Sequence, residues 1–369
     1  ARLFSGSDPN SPGLTALAGG SANVRIFADE TTSTFSPVLS ANNVYAIYRV
    51  ALGAGDLTIV ASGGDALGST WTYNAGVVAT ITTPVRINAS EVVNYLSTGP
   101  LTIQAGNITV DANVVSATSN SLVLKSMGYI TQNANKSIQT NGGEILFWAD
   151  TDVNGGYIYM LDGATLDSRT SADRTAGNTA TAAGGGRITL AGGLDNGANG
   201  GVAGDGLPDG HAWQAGTSNS AGVMLGTQAA GHDANITIYS GGGDILIRGR
   251  NTLGYANVCS GVAAFEGFTI DGGTTGSVII NGLSSGSTSY LTGIDLQGWR
   301  VGAASSASFL RTFNGDITLI GSIVGDNVDD SSVLLSAHPN APLTIAATGS
   351  GKIDINDLSG HDIQISKDN

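Results

Sequence analysis

The sequence predicts an all-β protein built as a parallel β-helix, a solenoid of short stacked strands carrying long Gly-rich loops. Three observations point there. Strand-like segments of about five residues recur along the chain, each alternating apolar and polar positions between Gly, Asn, Asp or Ser corners. There are 55 glycines in 369 residues, about twice the usual share, without the Gly-x-y period of collagen. Charged residues make up only 12 % against 41 % hydrophobic, which suits a buried apolar core under an uncharged polar surface rather than a disordered chain.

The segments read in order as "GDLTIVA" (55–61), "GPLTIQA" (99–105), "NITVDA" (107–112), "SLVLKS" (121–126) and "KSIQTN" (136–141). Next come "GEILFWA" (143–149), "GYIYML" (156–161), "GRITLAG" (186–192), "ANITIYS" (234–240), "GDILIRG" (243–249) and "GSVIING" (276–282). The last group is "GDITLIG" (315–321), "SVLLSA" (332–337), "PLTIAA" (342–347), "GKIDIN" (351–356) and "HDIQIS" (361–366). A sandwich or barrel also fits such spacing. It would want longer strands and more aromatics. Near-constant strand length and repeated small corners favour stacked rungs. At roughly 20–25 residues per rung and about 4.8 Å between strands, some 300 residues make a rod of roughly 60–70 Å. Inward columns of Ile, Leu and Val then supply stability, and the two open ends need caps or they polymerise.

Some stretches depart from this rhythm. "NASEVVNYLSTG" (88–99) reads as one or two helical turns, with Ser90 as cap, Val92, Val93 and Leu96 as the apolar face and Gly99 as stop. Residues 163–184 and 192–231 are rich in Gly, Ala, Asn and Ser and read as loops protruding from the rod, the kind of segment that tends to carry function. Residues 1–50 hold more aromatics and charge and read as a small antiparallel β-rich N-terminal module preceding a shaft over 51–369.

The net charge of −14 disfavours nucleic acid as a partner, since an acidic surface repels phosphates. No apolar run approaches the roughly 18 residues that would insert in a membrane. Cys259 is the single cysteine, so an intrachain disulfide and a Cys-based zinc site are excluded; it reads as a small, partly buried strand or turn residue. The chain opens on Ala1 rather than Met and reads as a processed chain or a segment of something longer.

"GDITLIG" in a Gly/Asn-rich array resembles the filamentous-haemagglutinin-like exoproteins of Gram-negative bacteria, which pass through an outer-membrane partner (two-partner secretion). Three blocks add to the likeness: residues 3–49, residues 87–106 and residues 184–212 followed by "GGGDILIRGR" (241–250). In the second block the family's Leu-Asn-x-Gly turn reads "LSTG", with Ser97 at the Asn position. The resemblance implies a right-handed β-helical shaft and a secreted, cell-surface setting. It carries no shared catalytic motif and no known ligand.

Five acids are candidate calcium ligands. "DTDVNGG" (150–156) opens like an EF-hand loop, with Asp150, Asp152, Asn154 and Gly155 at positions 1, 3, 5 and 6. Position 12 is Leu161 and the flanks are strands, so an EF-hand is excluded. What remains is an Asn154-Gly155 corner whose acids cap turn amides, or a shorter calcium corner. Asp195, Asp205 and Asp209, in "DNGANGGVAGDGLPDG" (195–210), are the second candidate calcium set, against a solvated loop. No other cofactor is expected.

"GLSSG" (282–286) matches the nucleophile-elbow pattern around Ser284, but no helix follows it. His211, His232, His338 and His361 lack metal spacing and read as surface loop residues. Asp244 and Asp316 recur before a strand, which suits a corner role. The sequence therefore points to a structural shaft segment that presents loops, stacks end to end or meets a host, surface or glycan receptor. The alternative is a β-helical carbohydrate-active enzyme (a polysaccharide lyase or hydrolase). Three or more acids plus an Arg or Lys converging in one groove would favour the enzyme; outward Thr/Ser/Asn ladders would favour the shaft.

Overall fold

The computed structural model describes residues 48–51, 56–63, 85–176, 181–215, 221–227, 234–252, 259–286, 291–297, 306–325, 330–337 and 341–367. The expected N-terminal module lies almost wholly outside these residues, as do His232 and His338.

Three parallel sheets form the faces of a β-helix. The first stacks β1 (Tyr48–Ala51), β4 (Leu101–Ala105), β7 (Leu122–Ser126), β10 (Ile145–Ala149), β13 (Ile188–Gly192), β17 (Ile245–Asn251), β20 (Val278–Ser285), β23 (Ile317–Val324) and β26 (Ile353–Asp357). β14 (Ala212–Gln214) joins its side, against the end of β17. The second runs β3 (Val85–Asn88), β2 (Leu57–Val60), β5 (Ile108–Asp111), β8 (Ile130–Gln132), β11 (Ile158–Met160), β15 (Ala221–Leu225), β18 (Cys259–Ala264), β21 (Leu291–Gln297), β24 (Ser331–Ala337) and β27 (Asp362–Lys367). The third holds β6 (Val114–Val115), β9 (Ser137–Gln139), β12 (Thr165–Asp167), β16 (Thr237–Tyr239), β19 (Thr269–Asp271), β22 (Ser308–Thr312) and β25 (Leu343–Ala347). Each of the sixteen segments read from the sequence overlaps one of these strands.

Register explains the repetition. Leu122, Ile145, Ile188, Ile245, Val278 and Ile317 stack in one column, and Leu124, Phe147 and Leu190 in the next, all fully buried. On the third face Ile138, Leu166, Ile238, Ile270 and Leu310 do the same. Because side chains alternate across a strand, a one-residue slip would expose a whole column, so burial fixes register. Outward positions form polar ladders, such as Ser137, Thr165, Thr237 and Thr269.

Corners are stapled by Asx side chains that reach the next rung. Asp244 Oδ1 accepts from Ser277 N at 2.9 Å and Asp316 Oδ1 from Lys352 N at 2.8 Å. Asn107 Oδ1 accepts from Tyr129 N, and Asn113 Oδ1 from Ser137 N, each at 2.9 Å. Asp244 and Asp316 thus fill the corner role their position suggested.

Several expectations need correction. β1 pairs in parallel with β4, so the expected module boundary at residue 50 falls inside a shaft strand. The helix α1 (Ala89–Thr98) is longer than two turns; its N-cap is Asn88, not Ser90, and Asn88 N donates to the Glu91 carboxylate at 3.4 Å. α1 follows β3 where a third-sheet strand would stand, burying Val92 and Leu96 and offering the Leu96 carbonyl to Thr118 and Asn120. The expected loop at 163–184 contains β12 and a short helix, α2 (Ser171–Ala176); that at 192–231 contains β14 and β15. β14 and β15 were hidden because their buried residues include Ala and Gly, which leave no apolar alternation.

Rung length also departs from expectation. The first column advances 21 residues from Leu101 to Leu122 and 23 from Leu122 to Ile145, then 43 to Ile188 and 57 to Ile245. In the later rungs the first and second sheets lengthen and close on each other through small residues. A Cβ on Gly249 would meet the Gly261 carbonyl oxygen at 2.1 Å, and one on Gly321 the Ser332 carbonyl oxygen at 2.0 Å. Beyond this seam lies a second small core of Cys259, Leu291 and Ile323. Ser284 is fully buried there and donates to the Cys259 carbonyl at 2.8 Å, so the "GLSSG" match is a strand inside the seam.

Among the described residues, no helix is long and apolar enough to cross a membrane.

Candidate functional site

The segment after β13 carries the most chemistry. It leaves the rod at Gly193, whose carbonyl accepts from Trp148 Nε1 at 2.7 Å and whose amide donates to the Ala149 carbonyl at 3.2 Å. Lys125 caps the Trp148 ring from 3.6 Å. The segment returns as β14, where Gly156 and Trp213 exchange backbone hydrogen bonds at 2.7 and 2.6 Å. Both of its ends are therefore fixed to the 148–156 region.

Within the loop, Asp195, Asp205 and Asp209 converge, with one carboxylate oxygen of each within 4.8 Å of the others. The sequence grouped these three in one loop, and the structure brings their carboxylates together. Oxygen donors of this kind suit calcium. The carboxylates also hold the loop. Asp195 accepts from Gly204 N and Gly206 N, Asp209 from Gly197 N at 2.6 Å and Asp205 from Leu207 N at 2.9 Å. Arg248 donates to the Asp209 carbonyl at 3.2 Å, bringing a positive charge beside the cluster.

Asp150 and Asp152 stand apart, in the corner between β10 and β11. Gly155 N donates to Asp150 Oδ1 at 2.7 Å, and Asn154 Nδ2 to Asp152 Oδ2 at 2.9 Å. They cap turn groups, as one of the two readings expected. The turn itself is different: positive φ falls on Asp150 (53°), Val153 (57°) and Gly155 (105°). Val153, a β-branched residue in that region, is strained.

Between this corner and the loop lies an open cleft of about 460 Å³ on the outside of the first sheet. Asp150, Leu194, His211, Trp213, Arg250 and Leu283 line it. Asp150 is buried, and its carboxyl is raised to about 6, chiefly by that burial, with Asp152 adding to it against the Gly155 amide. His211 is lowered to about 4, again first by burial, with Arg248 and Arg250 adding positive charge. Its Nε2 lies 3.3 Å from Asn281 Oδ1. The Arg250 guanidinium lies 4.9 Å from the Trp213 ring centre, and its Nε is buried without a hydrogen-bond partner.

Reading the sequence did not single out Arg250 or Trp213 as site residues, and it took His211 for a surface residue. The one available signal was that His211 and Trp213 fall within the 192–231 segment read as a long loop.

Fold and cleft together define a parallel β-helix with an open lateral cleft bordered by a loop. Comparison with known protein families, with characterised proteins and with solved structures finds no match.

Proposed function

We propose that the chain is a structural shaft segment of a secreted bacterial adhesin or extracellular fibre, serving surface attachment by presenting loops and stacking end to end. The carrying observation is the in-register parallel stack, with apolar columns inside and polar ladders outside. Ile317 over Ile353, Val333 over Ile363 and Leu335 over Ile365 continue the same apolar columns from rung to rung. Unpaired strand edges over apolar side chains are templates for further strands. Electron microscopy of concentrated protein should show rods joined head to tail; isolated short particles at every concentration would overturn the stacking.

One observation favours a second reading, a β-helical carbohydrate-active enzyme. Asp195, Asp205 and Asp209 converge with Arg248 adjacent, the grouping such chemistry needs. The first reading is preferred because each of these carboxylates already accepts a loop amide. Release of reducing ends from a polysaccharide, abolished by Asp209→Asn, would reverse the order.

A further inference from the structure

We propose that the cleft between the Asp150 corner and the 194–211 loop binds a carboxylate-bearing sugar, with Arg250 clasping the carboxylate. The argument begins with the guanidinium. Arg250 stands on β17, the strand that pairs with β14, and Trp213 is its register partner. A cation–π contact with the indole, 4.9 Å from the ring centre, favours this placement of the guanidinium. Its buried Nε has no hydrogen-bond partner. The guanidinium is also part of the cleft wall, so a ligand held there meets a planar cation. A carboxylate takes two parallel N–H bonds from one guanidinium, which a hydroxyl or an ammonium group cannot do.

The rest of the cleft fits a sugar ring. Its volume of about 460 Å³ lies in the range of small-molecule sites. Leu194 and Leu283 offer apolar contact to a ring face. Asp150, committed through one oxygen to the Gly155 amide, supplies a carboxyl partner for hydroxyls. The loop is tied down at Gly193 and at Trp213, so the walls are largely preformed and little ordering is needed on binding. Arg248 is occupied by the Asp209 carbonyl on the loop side, which leaves Arg250 as the guanidinium on the cleft wall. The site stands on the cleft itself and would remain if the rod formed no fibre.

The test is calorimetric titration of the full chain with glucuronate and with glucose. Saturable binding of glucuronate at millimolar concentrations, with glucose at least about tenfold weaker, is expected. Arg250→Gln should weaken glucuronate at least about tenfold, with circular dichroism confirming that the variant is folded. The comparison of two sugars on the native protein stands whether or not the variant folds. Equal binding of both sugars, no saturable glucuronate binding, or undiminished binding by folded Arg250→Gln would each overturn the proposal.

Discussion

A Cβ built on Gly282 would lie 1.9 Å from the carbonyl oxygen of Gly293, so the first and second sheets meet there backbone to backbone. Neither strand can move away without breaking its ladders to the rungs above and below. Gly282→Ala should therefore cost roughly 2–5 kcal/mol, through overpacking that cannot relax. The urea midpoint of unfolding measures it. An unchanged midpoint would mean the sheets do not touch at this rung.

Phe147 is the largest residue in its column, fully buried between Leu124 and Leu190. Phe147→Ala removes a ring from a stack with no side chain free to replace it. The expected loss is about 3–5 kcal/mol. Phe147→Leu matches the neighbouring residues and should recover most of it, as the thermal midpoints of the two variants will show.

The Asx staples separate geometry from charge. Asp244→Ala leaves Ser277 N without its 2.9 Å acceptor and should cost about 1 kcal/mol. Asp244→Asn keeps an acceptor oxygen and should stay close to wild type. Equal losses for both variants would show that the negative charge, rather than the hydrogen bond, stabilises the corner.

Asp150 gives the protein a pH-dependent liability. Burial, its largest cause, raises the folded value from 3.8 to about 6, with Asp152 adding to it and the Gly155 and Asn154 amides and Arg250 opposing it. Below about pH 4 the carboxyl is protonated in both folded and unfolded chains. Between about 4 and 6 only the folded chain keeps the proton, so stability falls as pH rises. Above pH 6 the full penalty applies. Asp150→Asn removes it, keeps an acceptor for Gly155 N and suits the positive φ, so the variant should gain of the order of 1–3 kcal/mol at pH 7 and little at pH 4. His211 works in the other direction. Its folded value near 4 means stability is lost as pH falls below 6.5. Denaturation of Asp150→Asn and wild type across pH 4–8 isolates the first effect.

Asp195 holds the loop from the inside, accepting from both Gly204 N and Gly206 N. Asp195→Ala should release the loop while leaving the rod intact. Limited proteolysis should then cut within 195–209 while the melting temperature stays near that of wild type. Resistance equal to wild type would show that Asp205 and Asp209 suffice. The amides already satisfied by these acids lead us to expect coincident melting curves in calcium and in chelator; a rise with calcium would return the three aspartates to a metal role.

The rod was legible because its information is local and repeated. "GDITLIG" and "GDILIRG" each state a corner acid, an inward Ile and an outward polar residue, and those assignments hold in the structure. The strand "AGVML" was not legible: all five residues are buried, on both faces, so no alternation remains. β12 was missed for a related reason, since only three residues separate a Gly-Ala corner from a polar loop. The helix was read, but its cap and its place in the third face were not, because both depend on which rung it closes.

The sequence by itself determined the all-β class, the corner chemistry and the inward columns, since each is set by residues within one strand length. It also placed Asp195, Asp205 and Asp209 in one acidic loop. Only the tertiary structure decided that Asp150 faces a cleft shared with His211 and Arg250, residues 61 and 100 positions away, and that Gly282 touches Gly293. In a solenoid, sequence fixes what each rung looks like, whereas the lengths of the intervening loops decide which outward residues meet. Those lengths carry no residue pattern of their own, so the cleft emerges only when the rungs are stacked.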